Sequence, residues 1–149
     1  MLLLALLPTV TVLPMLGVIE AFGRHQLLYS SLASSAFLIY LEPEHEMNGV
    51  RALVVSQMTA AGLGWLMWLL FGNGYAAAAS AIPLVILLMI LFKAVHPPAV
   101  STALAFTTHL DLTRSLVLFA IAVGITALLV VLQQAVWWFI RRRKAFQRA

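Results

Sequence analysis

Residues 82–104 read IPLVILLMILFKAVHPPAVSTAL. The apolar run Ile82 to Leu91 leads into Lys93, His96, Pro97 and Pro98, and the chain then turns small and apolar again. A histidine and two prolines at membrane depth break a helix where lipid demands one. Such breaks persist where the freed backbone lines a protein-enclosed or watery cavity. Proline suits a first helical turn, since its missing N–H needs no partner there. The stretch therefore predicts a helix that stops near Val95 and a short one that restarts at Pro97 or Pro98. The restarted helix would turn the N–H groups of about Ala99 to Ser101, with the hydroxyls of Ser101 and Thr102, toward a small anion. His96 would add a donor or a charge. The same spacing also fits a kink histidine bonded to a backbone carbonyl.

Composition sets the surroundings of this break. Of 149 residues, 63% are hydrophobic and 9% charged, which predicts a single integral membrane domain over residues 1–149. With no cysteine, thiolate chemistry and disulfides are excluded. Five of the nine basic residues (Arg141, Arg142, Arg143, Lys144 and Arg148) form a tail that accounts for the net charge of +4. Directly after an apolar helix, that tail reads as a positive-inside anchor and not as a nucleic-acid patch. It places the C-terminus in the cytoplasm, with Trp137 and Trp138 at headgroup level. Met1 to Leu7 lacks a basic leader and a cleavage site, so it predicts a first membrane helix and not a signal peptide.

Hydropathy marks six segments, at 2–19, 26–41, 49–71, 76–95, 98–109 and 114–140. Crossing the hydrocarbon takes about 20 residues. The first, third, fourth and sixth segments approach that length. The second carries Ser30, Ser31, Ser34 and Ser35, and the fifth is short and polar. Pro8 and Pro14 are expected to kink the first. The segments look paired. Ser34-Ser35-Ala36-Phe37-Leu38 resembles Ser101-Thr102-Ala103-Leu104-Ala105 at an offset of 67, and Val50–Val55 resembles Thr113–Leu118 at 63. The expected fold is all-α, with two repeats (1–71 and 75–140), each a long helix, a short hydroxyl-rich broken or re-entrant segment, and a long helix. If the short segments cross, the halves are inverted, a common transporter plan; if they re-enter, the halves are parallel.

The other polar residues carry less chemistry. Lys93 lies three residues before His96, which on a helix would put both on one face; it either snorkels or adds positive potential. Arg51 and Arg114 open the third and sixth segments, as headgroup anchors or as an electropositive vestibule, with Asp111 near enough to pair with Arg114. Glu42, Glu44, His45 and Glu46 read as a solvated turn, and Glu20, Arg24 and His25 as interfacial. No nucleophile–base pair, phosphate-binding glycine loop or metal-spaced histidine pair appears, and His96 and His109 lie thirteen apart. The expectation is a protein that is not an enzyme and uses no cofactor or metal.

His96-Pro97-Pro98-Ala99, followed by Thr102-Ala103-Leu104 and preceded by Ile82 to Leu91, resembles the HPP family of small integral membrane proteins, named for that tripeptide. Ser31 to Leu41, ending at the Glu42-Pro43 loop, adds to the likeness, which covers roughly residues 15 to 140. The family has about four predicted spans, which suits four long segments plus two short ones. Its plant and cyanobacterial members are associated with nitrite transport, so the resemblance implies a nitrite or small-anion permease. The family's Pro-Arg-Asn element, followed by glycines and a histidine, is echoed here only by Asn48 and Gly49, with Arg51 displaced and no histidine following. Together these readings predict a transporter or channel for a small monovalent anion, nitrite first. The binding set is His96, Pro97, Pro98, Ala99, Ser101, Thr102 and Lys93, joined by Ser34, Ser35, Asn48 and Arg51. Its partners are a small inorganic anion and the lipid bilayer, not nucleic acid. A bacterial inner membrane is the expected setting, and a homo-oligomer is expected because six short segments make a thin wall for a pore. The alternative is a non-transporting subunit or scaffold whose basic tail binds a partner or anionic lipid.

Overall fold

What stops each helix explains the order of the elements. The computed structural model describes residues 26–108 and 112–146. The expected first segment with Pro8 and Pro14, and residues Glu20, Arg24, His25, His109 and Asp111, lie outside the described residues. Helix α1 (Gln26–Leu41) ends as Glu42 donates its N–H to the Leu38 carbonyl at 2.9 Å. Pro43 then has no N–H with which to continue the ladder. A 3-10 turn over Glu46–Asn48, opened by His45, leads to α2 (Val50–Phe71). Gly72 and Gly74 follow at φ 72° and 116°. Two such positions in three residues favour glycine, which has no Cβ to clash there.

Helix α3 (Tyr75–Leu91) stops four residues before the expected Val95, and the reason is a complete Schellman closure. Lys93 donates its N–H to the Ile90 carbonyl at 3.0 Å, and Ala94 donates to Met89 at 2.9 Å. Lys93 itself adopts φ 49°, the left-handed position usually given to glycine. An irregular link then carries His96 to the short α4 (Ala99–Phe106), with Pro98 as its N-cap. Lys93 and His96 therefore do not share a helix face, contrary to expectation, because both lie beyond the end of α3. The fifth segment is shorter than expected, 99–106 against 98–109. The sixth is longer, since α5 (Leu112–Phe146) continues through the first residues of the basic tail.

Two backbone ties fix the path. Arg51, at the start of α2, donates from its guanidinium (Nη2) to the Phe92 carbonyl just past α3, at 2.9 Å. At the other end Gly74 donates its N–H to the Thr107 carbonyl at 3.0 Å. The link and α4 together thus cover the height of α2, running down beside it while α1, α3 and α5 run up. Residues 107–111 alone join α4 to α5, so α5 starts at the Gly72–Gly74 end and finishes at the Glu42–Gly49 end.

The helices meet in two ways. α1 and α5 bury aliphatic stripes, Leu28, Leu32, Ala36 and Ile39 facing Leu118, Ala122, Ile125 and Leu129, with Leu53 and Phe106 between them. The spacings of three and four residues put each stripe on one helix face. α2, α3 and α4 instead approach through small residues, Ala60, Ala99 and Ala103 beside Val85 and Met89. Lipid offers no hydrophobic drive between helices, so such close contact is what holds them. The outer faces are apolar: Leu70, Leu91 and Val131 are each more than 60% exposed. Val50–Phe71 and Leu116–Arg142 are long and apolar enough to cross a bilayer, while α1 and α3 are apolar but shorter.

Candidate functional site

The break between α3 and α4 places a polar side chain in the interior. His96 is fully buried. Its Nδ1 lies 2.9 Å from the Met47 carbonyl and its Nε2 lies 2.8 Å from the Ser35 hydroxyl. A carbonyl only accepts, so the Nδ1 nitrogen must carry the hydrogen. In the neutral ring Nε2 then accepts from the Ser35 O–H. His96 is thus bonded to a backbone carbonyl, as one of the two sequence readings held, and is also clamped to α1. Ser35 stands six residues before the end of that helix, about 9 Å along its axis.

One turn deeper is a second polar layer. Thr102 of α4 lies 2.6 Å from Gln57 Oε1 and 2.8 Å from the Ser31 hydroxyl, while Gln57 Nε2 lies 3.2 Å from Ser31. A hydroxyl has one hydrogen to give, and one closed circuit satisfies all three groups: Thr102 donates to Gln57 Oε1, Gln57 Nε2 to Ser31, and Ser31 to Thr102. Ser31, Gln57 and Thr102 are each 1% exposed or less. Three helices are locked together by this triangle, in a setting where a polar side chain without a partner would be costly.

Above the histidine, Asn48 is buried and donates from Nδ2 to the carbonyls of Leu38 and Glu42, at 2.9 and 2.8 Å. It thereby gives a second donor to one carbonyl in the last turn of α1 and to one just past it, which also accept from the Glu42 and His45 amides. Its Oδ1 is buried without a partner.

The structure joins His96 to Ser35, sets Thr102 one turn deeper on Ser31 and Gln57, and buries Asn48, Pro98 and Ala99 as well. It leaves the other expected residues outside. Ser34 is exposed and turns back onto its own helix, 2.6 Å from the Ser30 carbonyl. Pro97 and Lys93 are exposed, Ser101 is half-buried, and Arg51 is exposed and engaged with Phe92. The amides expected to stand free are also occupied. Ala99, Val100 and Ser101 donate to the carbonyls of His96, Pro97 and Pro98 at 3.0 to 3.1 Å, because the first turn of α4 is wound tightly on itself. The donors that remain are side chains.

Sequence reasoning missed Ser31 and Gln57. Ser31 and Ser35 are four apart, hence on one face of α1, while Gln57 is a lone amide inside the apolar run of α2. Both signals were available, but neither says which helix the group will meet.

The family model for the HPP transmembrane region matches residues 1–146. No curated protein and no solved structure matches the chain. A match over nearly the whole length agrees with the apolar helices and with the tripeptide at the break. The chain is a membrane protein of the HPP transmembrane family.

Proposed function

We propose that this protein is a transporter or channel for a small monovalent anion, nitrite foremost, with the two polar layers around His96 as its binding site. One observation carries the reading: where the chain reverses between α3 and α4, it delivers a fully buried histidine, and deeper a threonine, onto serines of α1. Ionisable residues buried inside membrane proteins face substrate or ion pathways, and transporters place their sites where repeats meet. The described arrangement is the closed form in this reading. Opening the triangle would release the Thr102 and Ser31 hydroxyls and the Gln57 amide as neutral donors, a set suited to a weakly hydrated monovalent anion.

The helix directions support an inverted repeat: α1 runs opposite to α4, and α2 opposite to α5. The repeat boundaries at 1–71 and 75–140 then put the two hydroxyl-rich segments in contact at the centre. The site residues in this reading are His96, Ser35 and Thr102, aided by Ser31, Gln57 and Asn48. Arg51 and Lys93 set positive potential at one mouth. A bacterial inner membrane, a cytoplasmic tail and a homo-oligomer complete the proposal.

Uptake of nitrite into vesicles carrying the purified protein tests it, against empty vesicles and with chloride, nitrate and formate as competitors. The wild type should exceed empty vesicles, with nitrite its best substrate. His96→Ala and Thr102→Val should abolish the flux while the protein stays monodisperse and helical. Absence of wild-type flux, or unchanged flux in both variants, refutes the site. The sealing of every polar layer favours one other reading, a non-transporting subunit that uses this network as glue. That reading predicts no flux and a large loss of stability in the same variants.

A further inference from the structure

The hydrogen-bond roles around His96 have a consequence for energetics. Ser35 O–H and His96 Nε2 use each other up in the neutral state: the only hydrogen of the hydroxyl goes to the ring nitrogen. Nδ1–H is already given to Met47. A neutral His96 therefore offers an incoming anion nothing.

Adding one proton to Nε2 changes this. Nε2 becomes a donor, and the Ser35 hydroxyl, now facing a donor, turns its hydrogen away. Nε2–H now donates to the Ser35 oxygen, so one free donor, the Ser35 O–H, and one positive charge appear together where neither stood before. A charge buried that deeply needs a counter-charge close by. Among the described residues, the titratable and charged groups on the surrounding elements are Tyr29 and Tyr40 of α1, Glu42, Glu44, His45 and Glu46 of the loop, Arg51 of α2, and Lys93 of the link. On α3 the only such residue is Tyr75, at its far end. Those of α5 lie near its two ends, and α4 has none. The three glutamates are exposed, and the ring nitrogens bond a hydroxyl and a carbonyl, not a carboxylate.

We propose that the protein carries one proton with each anion, the proton held on His96 and the anion serving as its counter-ion. The inference rests on the transport reading above. The proton comes from water on one side, binds Nε2, and leaves to water on the other side as the anion departs. Nothing is oxidised or reduced, and the loaded site is electrically neutral. Because each ligand creates the condition for the other, their binding is reciprocally coupled.

Nitrite uptake into vesicles with a trapped pH indicator, corrected for empty vesicles, tests this. Expected are one proton entering per nitrite, a rate indifferent to an imposed membrane potential, and a rate that falls about tenfold per pH unit once His96 is mostly neutral. His96→Gln should lose the proton movement, and Ser35→Ala should keep it while raising KM. As a check independent of variants, adding nitrite to the wild-type protein in weakly buffered detergent should take up one proton per anion bound. Nitrite uptake that follows the potential with no proton movement overturns the coupling and leaves the transport reading standing. The absence of any protein-dependent uptake overturns both.

Discussion

At the scale of single residues, Lys93 is the least expected choice. It holds the left-handed position that closes α3, at φ 49°, where a Cβ costs about 1 kcal/mol or more relative to glycine. Lys93→Gly should therefore stabilise the protein by about 1 kcal/mol in thermal unfolding, and Lys93→Val should destabilise it. A less stable glycine variant would show that the lysine stem packs usefully. If the ammonium also gathers anions at the mouth, the same glycine variant carries nitrite more slowly, with the deficit largest at low salt, where surface charge is least screened. The sequence could not place this closure. A helix end at lysine lacks the glycine that normally announces it, and the prolines four and five residues later drew the expected end to Val95. The effect of the prolines on the other side was legible, because a ring nitrogen without hydrogen admits few positions in a helix.

At the scale of helices, α2 and α4 approach closely at Gly64. A Cβ there would run into the Ala103 carbonyl oxygen and sit 2.9 Å from Phe106 Cβ, both unable to retreat without moving α4. Gly62, two residues earlier and on the opposite side of the same helix, has nothing within 4 Å of such an atom. Gly64→Ala should destabilise by about 1–3 kcal/mol, the usual range for forcing a group into packed space. Gly62→Ala should be neutral, or stabilising by up to about 1 kcal/mol from helix propensity. Thermal unfolding in one detergent compares them, and equal melting temperatures would mean that α4 is not seated as described. The same contact sets the limits of reading helices from sequence. The spans 26–41 and 50–71 follow from apolar length bounded by Pro43 and by the glycine turn, so they were legible nearly to the residue. That Thr102 meets Ser31 and Gln57, and not Ser34, depends on how α4 rotates as it settles against Gly64. Rotation of a short helix is decided by packing across elements, which local pattern does not encode.

For the whole molecule, the order of directions makes a strict statement about sidedness. The Glu42–Gly49 loop, the α3–α4 link with Lys93, and the end of α5 with Arg141 and Arg142 share one end, while the Gly72–Gly74 turn lies at the other. At the shared end, Arg141 stacks over Trp137 at 5.1 Å and Arg142 over Trp138 at 4.1 Å. That pairing of cation and ring suits the headgroup layer. Arg51 and Lys93 add to the same end, so among the described residues the basic ones there outnumber those of the glycine turn, and the proposed orientation, with that end in the cytoplasm, follows the positive-inside bias. The chain has no cysteine, so each introduced one is a unique label. Glu46→Cys and Asn73→Cys, both at exposed positions, should react with a membrane-impermeant thiol reagent from opposite sides. In intact cells the reagent should label Cys at 73 and spare Cys at 46, and inverted vesicles should reverse the pattern. Labelling of both from one side would contradict the path traced by the Arg51–Phe92 and Gly74–Thr107 ties. Labelling from opposite sides in the reverse sense would keep that path, and would mean that the basic tail does not decide the orientation.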